Sequence, residues 1–124
     1  MKAQELMIGD WVKIKGHLDY DKVREIARDE NMQWYISFAC SATLFRAYEF
    51  EPIQLTTEIL ENNGWKHSNN LMIVGIDDID FYWSEEFGVL YKNQYNMCNC
   101  KYVHHLQHAL RLCGLDELAD NFKI

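Results

Sequence analysis

Residues 102–113, YVHHLQHALRLC, carry the clearest helical pattern in the chain. At about 100° per residue, six of their seven apolar side chains fall within about 60° of Leu106 on a helical wheel. These apolar residues are Tyr102, Val103, Leu106, Ala109, Leu110 and Cys113. Gly114 comes next, and a glycine just after an apolar stripe is typical of a helix C-terminus. The pattern predicts a C-terminal helix with one apolar face, which a sheet must cover.

The first half of the chain has the patterns of short strands. Residues 8–15, IGDWVKIK, begin with a Gly-Asp turn and then place apolar side chains on one face and lysines on the other. Similar runs occupy residues 22–26, 33–38 and 43–50. Short strands at this spacing predict an antiparallel meander that curls into a small barrel.

The second half mixes helix and strand patterns. Thr56 is a good N-cap and Gly64 a good C-terminal stop, so residues 57–63 are predicted to form a short helix. Three predicted strands follow, at residues 71–74, 79–83 and 87–91. We therefore expect hairpins between the short helix and the C-terminal helix.

These elements predict an α+β fold and a single domain over residues 1–124. The β-rich, barrel-like half covers residues 1–53, and residues 54–124 hold the short helix, the hairpins and the C-terminal helix. We expect the hairpins to extend the small antiparallel sheet and the C-terminal helix to pack against it.

Composition excludes several classes of protein. The 124 residues carry 12 Lys plus Arg and 19 Asp plus Glu, which gives a net charge of -7. A duplex-binding surface needs clustered cations, so direct binding of nucleic acid is not expected. We find neither a run of about 20 apolar residues nor the apolar core of a signal peptide, so we expect no membrane span and a cytoplasmic location.

The cysteines predict no structural disulfide, because a cytoplasmic compartment keeps thiols reduced. Cys40 and Cys113 are expected to be buried and to act as small apolar residues. We also expect no cofactor, since the sequence shows no phosphate loop, nucleophile elbow or dinucleotide fingerprint.

The candidate metal ligands are Cys98, Cys100, His104 and His108. His104 and His108 are one helical turn apart, and the helical wheel puts both on the face opposite the apolar stripe. If the helix extends back to Cys100, then Cys100, His104 and His108 lie in one line along it. Cys100 and His108 are then about 12 Å apart, too far for both to bind one ion. A zinc set of Cys98, Cys100 and His104 with a distant ligand such as His67 stays open as an alternative.

Two other constellations could carry chemistry. Cys100 beside His104 could act as a thiol nucleophile with its base, although the sequence shows no third orienting group. The densest acidic cluster is Asp77, Asp78, Asp80, Glu85 and Glu86. Paired carboxylates serve Mg²⁺ binding or acid–base catalysis, but the sequence favours a solvated strand entry and turn as the explanation of this cluster.

Aromatic residues make up 14% of the chain. In residues 81–83, Phe-Tyr-Trp, alternation puts neighbouring rings on opposite faces of a strand, so both faces are covered or Tyr82 is exposed. Exposed aromatic patches are typical of protein interfaces. The candidate interface residues are Trp11, Tyr82 and Trp83.

Three segments resemble a group of small proteins of gut Bacteroidales that occur near prophage or conjugative elements and have no known activity. The segments are residues 6–12, LMIGDWV; residues 51–65, EPIQLTTEILENNGW; and residues 101–114, KYVHHLQHALRLCG. The resemblance implies a bacterial cytoplasmic protein associated with mobile elements, and it assigns no cofactor or catalytic residue. The Gly-Asp-Trp-Val opening and the Val-Arg-Glu-Ile strand also resemble the start of an SH3-like barrel, which by analogy indicates a binding module.

The sequence therefore favours a non-enzymatic binding or adaptor protein that contacts another protein or a second copy of itself. One alternative is a small metal- or thiol-dependent enzyme that uses the region from Cys98 to His108. The other is an acidic mimic of nucleic acid that inhibits a basic host defence protein.

Overall fold

A computed structural model describes residues 5–16, 20–39, 41–45 and 49–124 of the chain. The chain divides into two compact units, residues Met1–Ile53 and Gln54–Ile124. Each unit contains one five-stranded antiparallel sheet, and the helices belong to the second unit. The predicted α+β class is confirmed.

The first unit is a single antiparallel sheet with the strand order β4-β3-β2-β1-β5. Its strands are β1 (Trp11–Ile14), β2 (Tyr20–Arg28), β3 (Trp34–Phe38), β4 (Ser41–Phe45) and β5 (Phe50–Pro52). The register of β2 against β3 shifts between Val23 and Glu25. A bulge of this kind bends a strand and increases its twist.

The core of the first unit is an apolar cluster under this sheet, and the members of the cluster are Leu6, Val12, Val23, Ile36, Phe38 and Phe50. The turn before β1 is closed by Asp10, whose Oδ2 accepts a hydrogen bond of 2.8 Å from the amide of Met7. Gly9 has a φ of 93°, a conformation that glycine adopts without strain. The predicted Gly-Asp turn therefore places Val12 in the core.

The second unit consists of helices at both ends of a five-stranded meander. Its elements are α1 (Thr57–Asn62), β6 (Lys66–Ser68), β7 (Leu71–Ile76), β8 (Ile79–Ser84), β9 (Val89–Lys92), β10 (Tyr95–Asn99), α2 (Val103–Leu112) and α3 (Asp116–Asp120). The strand order is β10-β9-β8-β7-β6, so each strand pairs with its neighbours in sequence. The predicted N-cap is confirmed, because Thr56 Oγ1 accepts a hydrogen bond of 3.2 Å from the amide of Ile59.

The predicted C-terminal helix corresponds to α2, and its apolar stripe is buried as the wheel indicates. Val103, Leu106, Ala109 and Leu110 are all buried, and α2 contacts β10 of the sheet. Cys113 is only half-buried. The prediction for Cys40 lies outside the described residues.

Two features of the predicted sheets were wrong. The later hairpins do not extend the first sheet, because β5 occupies the free edge of β1 and the strands after α1 pair among themselves. Three strands, β5, β6 and β10, were missed. Pro52 hid β5, which tolerates the proline as an edge strand, and the polar residues of β10 hid a strand that pairing with β9 stabilises.

Within the part of the chain that the structure describes, we find no helix with the length and apolarity needed to cross a membrane.

Candidate functional site

The two faces of the second sheet differ sharply in burial. Pairing aligns Met72, Trp83 and Leu90 across β7, β8 and β9, and all three are buried on the inner face. Pairing aligns Ile73, Tyr82 and Tyr91 on the outer face, where all three are half-buried. The outer face therefore carries partly exposed rings in its middle row.

A cleft of about 460 Å³ lies on this outer face. Its lining consists of Asn70, Leu71, Tyr82, Ser84, Glu86, Phe87, Tyr91, Asn93 and Gln94. We call this site the ring cleft. It combines three aromatic rings and one leucine with amides, a hydroxyl and a carboxylate, a mixture of apolar surface and a few polar groups that suits binding.

One end of the ring cleft is built by the tight turn between β8 and β9. The amide of Gly88 donates a hydrogen bond of 2.8 Å to Ser84 O, and the amide of Phe87 donates one of 3.3 Å to Ser84 Oγ. Gly88 has a φ of 60°, which favours glycine at this position. The turn leaves the ring of Phe87 65% exposed, the most exposed aromatic side chain of the ring cleft.

The other end is fixed by the turn between β9 and β10. Asn93 donates its amide to Asp80 O at 2.6 Å, and Asn93 Oδ1 accepts from the amide of Asp80 at 3.0 Å. These two hydrogen bonds tie the turn to the start of β8. The polar end of the ring cleft, at Asn93 and Gln94, is therefore held by two hydrogen bonds to the backbone of Asp80.

The three candidate interface residues have different positions. Tyr82 lines the ring cleft. Trp83 is buried, 2% exposed, and its Nε1 donates a hydrogen bond of 2.7 Å to Cys100 O, so it is a core residue and its assignment to an exposed interface is wrong. Trp11 is half-buried in the first unit, with Lys22 Nζ 5.2 Å from the centroid of its ring.

The sequence prediction missed Phe87 and Tyr91 as functional candidates, because residues 87–91 were assigned to one strand. Phe87 belongs to the turn, and β9 begins only at Val89. The signal that could have found the ring cleft is the pairing of two tyrosines. A turn through Glu85 to Gly88 places Tyr82 opposite Tyr91.

The predicted solvent-facing position of His104 is wrong. His104 is 2% exposed, and its ring stacks on Tyr102 with centroids 5.9 Å apart. The helix is buried on more than its predicted apolar stripe. Gln107 lies outside that stripe and is also buried, and its Nε2 donates a hydrogen bond of 3.0 Å to Ala119 O in α3. His108 is half-buried, and its ring centroid lies 5.6 Å from that of His104.

The four candidate metal ligands do not assemble into a metal site. Within the described ranges, we find no group of three or more His, Cys, Asp or Glu side chains close enough to hold an ion. The imidazole of His67, the distant ligand of the alternative zinc set, instead contacts the carboxylate of Glu61. Among the candidates, the rings of His104 and His108 make an edge-to-face contact.

The thiols of Cys98 on β10 and of Cys100 just after it are poorly suited to nucleophilic attack. Burial, with a smaller contribution from Cys98, raises the pKa of Cys100 far above its usual range. Burial, and then the nearby Cys113, raises the pKa of Cys98. A raised pKa keeps a thiol protonated, and the thiolate is the nucleophilic form. The burial of Cys100 and its raised pKa therefore do not favour a catalytic dyad of Cys100 with His104.

The acidic cluster is divided by strand β8. Asp77 and Asp78 form the turn before β8, and Glu85 and Glu86 follow its last residue. Five residue steps at about 3.4 Å each separate the ends of a six-residue strand by about 17 Å. Four of the five carboxylates therefore lie in two separate turns, Asp80 lies within β8, and only Glu86 lines the ring cleft.

Comparison of the chain with protein-family models, with curated proteins and with solved structures finds no match.

Proposed function

We propose that this chain is a non-enzymatic binding protein whose ligand is another protein, held at the ring cleft. The single observation that carries the proposal is the exposed ring of Phe87 at the rim of a cleft floored by Tyr82 and Tyr91. Aromatic residues in a partly desolvated pocket supply much of the binding energy at protein interfaces.

The chemistry around the ring cleft supports binding over catalysis. The lining has one carboxylate, and the thiols with raised pKa values, Cys98 and Cys100, lie on β10 and just after it. Catalysis needs a nucleophile or base within hydrogen-bond reach of an orienting group. Rings, amides and a single carboxylate instead match the composition of a recognition surface.

The proposal extends to an SH3-like fold for the first unit. Its support is the strand order, in which β1 pairs with both β2 and β5, together with the register shift in β2 that bends the sheet. It also extends to the bacterial cytoplasm and to mobile elements, as the resemblance to the Bacteroidales group implies. The free thiols of Cys98, Cys100 and Cys113 support a reducing compartment.

The test is partner capture with two matched surface variants. Phe87→Ser removes the exposed ring of the ring cleft, and Leu112→Ser removes an apolar side chain that is 84% exposed on α2. Each variant deletes a solvent-exposed apolar group, so both should fold. After crosslinking in cells at native expression, we expect a partner that Leu112→Ser retains and Phe87→Ser loses.

Three outcomes would count against the proposal. The first is that no protein crosslinks above background, and the second is that both variants keep the partner. The third is that Leu112→Ser loses it as completely as Phe87→Ser does, because the ring cleft would then have no special role.

A further inference from the structure

We propose that the ring cleft recognises the side chain of an arginine or lysine in the partner protein, an inference that rests on the proposed function. The aliphatic stem would lie along the rings of Tyr82 and Tyr91, and the cationic head would lie beside Glu86. The ligand class is therefore a basic peptide segment.

The first argument is the arrangement of the rings. Tyr82 and Tyr91 are directly opposite each other on β8 and β9, and both line the ring cleft. Directly opposite side chains have Cβ atoms about 5 Å apart, so two tyrosines form one continuous aromatic surface. A cation over the face of such rings is attracted by their quadrupole, and arginine is the commonest partner.

The second argument is the charge of the lining. Among the described residues that line the ring cleft, Glu86 is the only carboxylate, and none is a lysine or arginine. Lys92 on β9 pairs with buried Phe81, so alternation directs it to the inner face. On the outer face, Lys66 is two strands from Tyr82, about 10 Å away. The stem of Lys101 lies against Gly88 in the turn between β8 and β9, but Lys101 is not among the residues that line the ring cleft. A cation in the ring cleft therefore meets one carboxylate and no like charge within the lining.

The third argument is that the first unit already contains contacts between a cationic side chain and an aromatic ring. The guanidinium carbon of Arg28 lies 4.4 Å from the ring centroid of Trp34, and Lys22 Nζ lies 5.2 Å from that of Trp11. There the ring and the cation both come from the chain. The ring cleft of the second unit offers the rings and leaves the cation to a ligand.

The fourth argument is long-range electrostatics. The chain carries a net charge of -7, which attracts a basic segment and repels an acidic one. An acidic or neutral apolar segment would leave Glu86 without a charge partner at the ring cleft. Charge complementarity therefore favours a basic occupant over either of these.

The experiment titrates the isotopically labelled full chain with three capped tripeptides and follows its backbone amide signals by NMR. The probes are Gly-Arg-Gly, Gly-citrulline-Gly and Gly-Glu-Gly. Citrulline has nearly the shape of arginine without its charge. We expect saturable shifts at Tyr82, Glu86 and Tyr91 with the arginine probe, about threefold weaker binding with citrulline, and no shifts at these residues with glutamate.

Two matched variants test the carboxylate. Glu86→Gln and Glu85→Gln remove the same charge from adjacent exposed positions, and only Glu86 lines the ring cleft. We expect Glu86→Gln to weaken the arginine probe about threefold and Glu85→Gln to leave it nearly unchanged. Equal binding of arginine and citrulline, equal effects of the two variants, or no shifts at the ring cleft would overturn the inference.

These results separate this inference from the proposed function. If Phe87→Ser loses a partner whose contacting segment has no arginine or lysine, the inference fails and the proposed function stands. If the arginine probe binds at the ring cleft but no protein partner depends on Phe87, the proposed function fails and the site for a basic group stands.

Discussion

At the scale of single residues, the buried thiol of Cys100 affects the stability of the second unit. Its side chain is fully buried, its amide donates to Gly88 O at 2.6 Å, and its carbonyl accepts from Trp83. Burial raises the pKa of its thiol far above the usual range. Cys100 therefore contributes to the core as a neutral group, and its ionisation opposes folding.

The raised pKa of Cys100 predicts a loss of stability in alkali. Above about pH 8.5 the thiol ionises in the unfolded chain but keeps its proton in the folded one. The unfolded state then binds fewer protons, so the free energy of unfolding falls as the pH rises. One such thiol contributes a loss of at most about 1.4 kcal/mol per pH unit. Urea unfolding between pH 7 and pH 10.5 measures the slope.

Two variants isolate the contribution of the thiol from that of core packing. Cys100→Ala removes the thiol and should flatten the alkaline slope, whereas Val103→Ala removes a fully buried apolar group and should lower stability equally at every pH. Identical alkaline slopes in wild type and Cys100→Ala would show that the thiol ionises freely in the folded protein.

At the scale of secondary-structure elements, the turn between β8 and β9 determines the shape of the ring cleft. Gly88 occupies the left-handed region with a φ of 60°, and a Cβ added there would lie 2.8 Å from Cγ of Lys101. The same turn holds Phe87 and Glu86 at the rim. The shape of the ring cleft at this end therefore depends on a backbone conformation that few residues tolerate.

Gly88→Ala should destabilise the second unit more than Gly64→Ala does. Both glycines have positive φ, and strain there costs about 1–2 kcal/mol for alanine. At Gly64 nothing lies within 4 Å of the added Cβ, but at Gly88 the stem of Lys101 must also move. Chemical unfolding of the two variants gives the difference.

The double variant Gly88→Ala, Lys101→Ala removes the obstructing stem. Without that stem, only the backbone strain of the alanine remains. The stability lost between Lys101→Ala and the double variant should therefore equal the stability lost between wild type and Gly64→Ala. If Gly88→Ala costs no more than Gly64→Ala, the close approach of Lys101 has no energetic consequence.

At the scale of the whole molecule, the excess of acidic residues controls colloidal behaviour. The net charge of -7 at neutral pH makes copies of the chain repel one another, and the charge vanishes near the isoelectric point of about 5.1. An exposed apolar ring such as Phe87 then meets no electrostatic repulsion between copies. We expect association to be strongest near that pH.

Light scattering between pH 4 and pH 8 should therefore show a maximum near pH 5. Glu30→Lys changes an exposed turn residue and makes the net charge less negative by two, so its maximum should move to higher pH. Phe87→Ser should keep the position of the maximum and lower its height. A maximum that does not move with Glu30→Lys would mean that net charge does not control association.

The amino-acid sequence alone determined the elements whose evidence is local. The stripe of α2, the Thr56 cap and the Gly-Asp turn before β1 are decided within about four residues by helical periodicity and turn chemistry. The α+β class followed from these elements. The ring cleft was predictable only through Tyr82, because alternation along β8 required one ring to face away from Phe81 and Trp83.

Only the tertiary structure decided which strands pair and which residues outside the apolar stripe are buried. β5 and β10 exist as strands because β1 and β9 supply hydrogen-bond partners, and their own residues, Pro52 among them, do not favour a strand. His104 is buried although the helical wheel placed it in solvent, since α2 is enclosed beyond its apolar stripe. Tyr91 and Phe87 join Tyr82 in one cleft through long-range register, which no local pattern encodes.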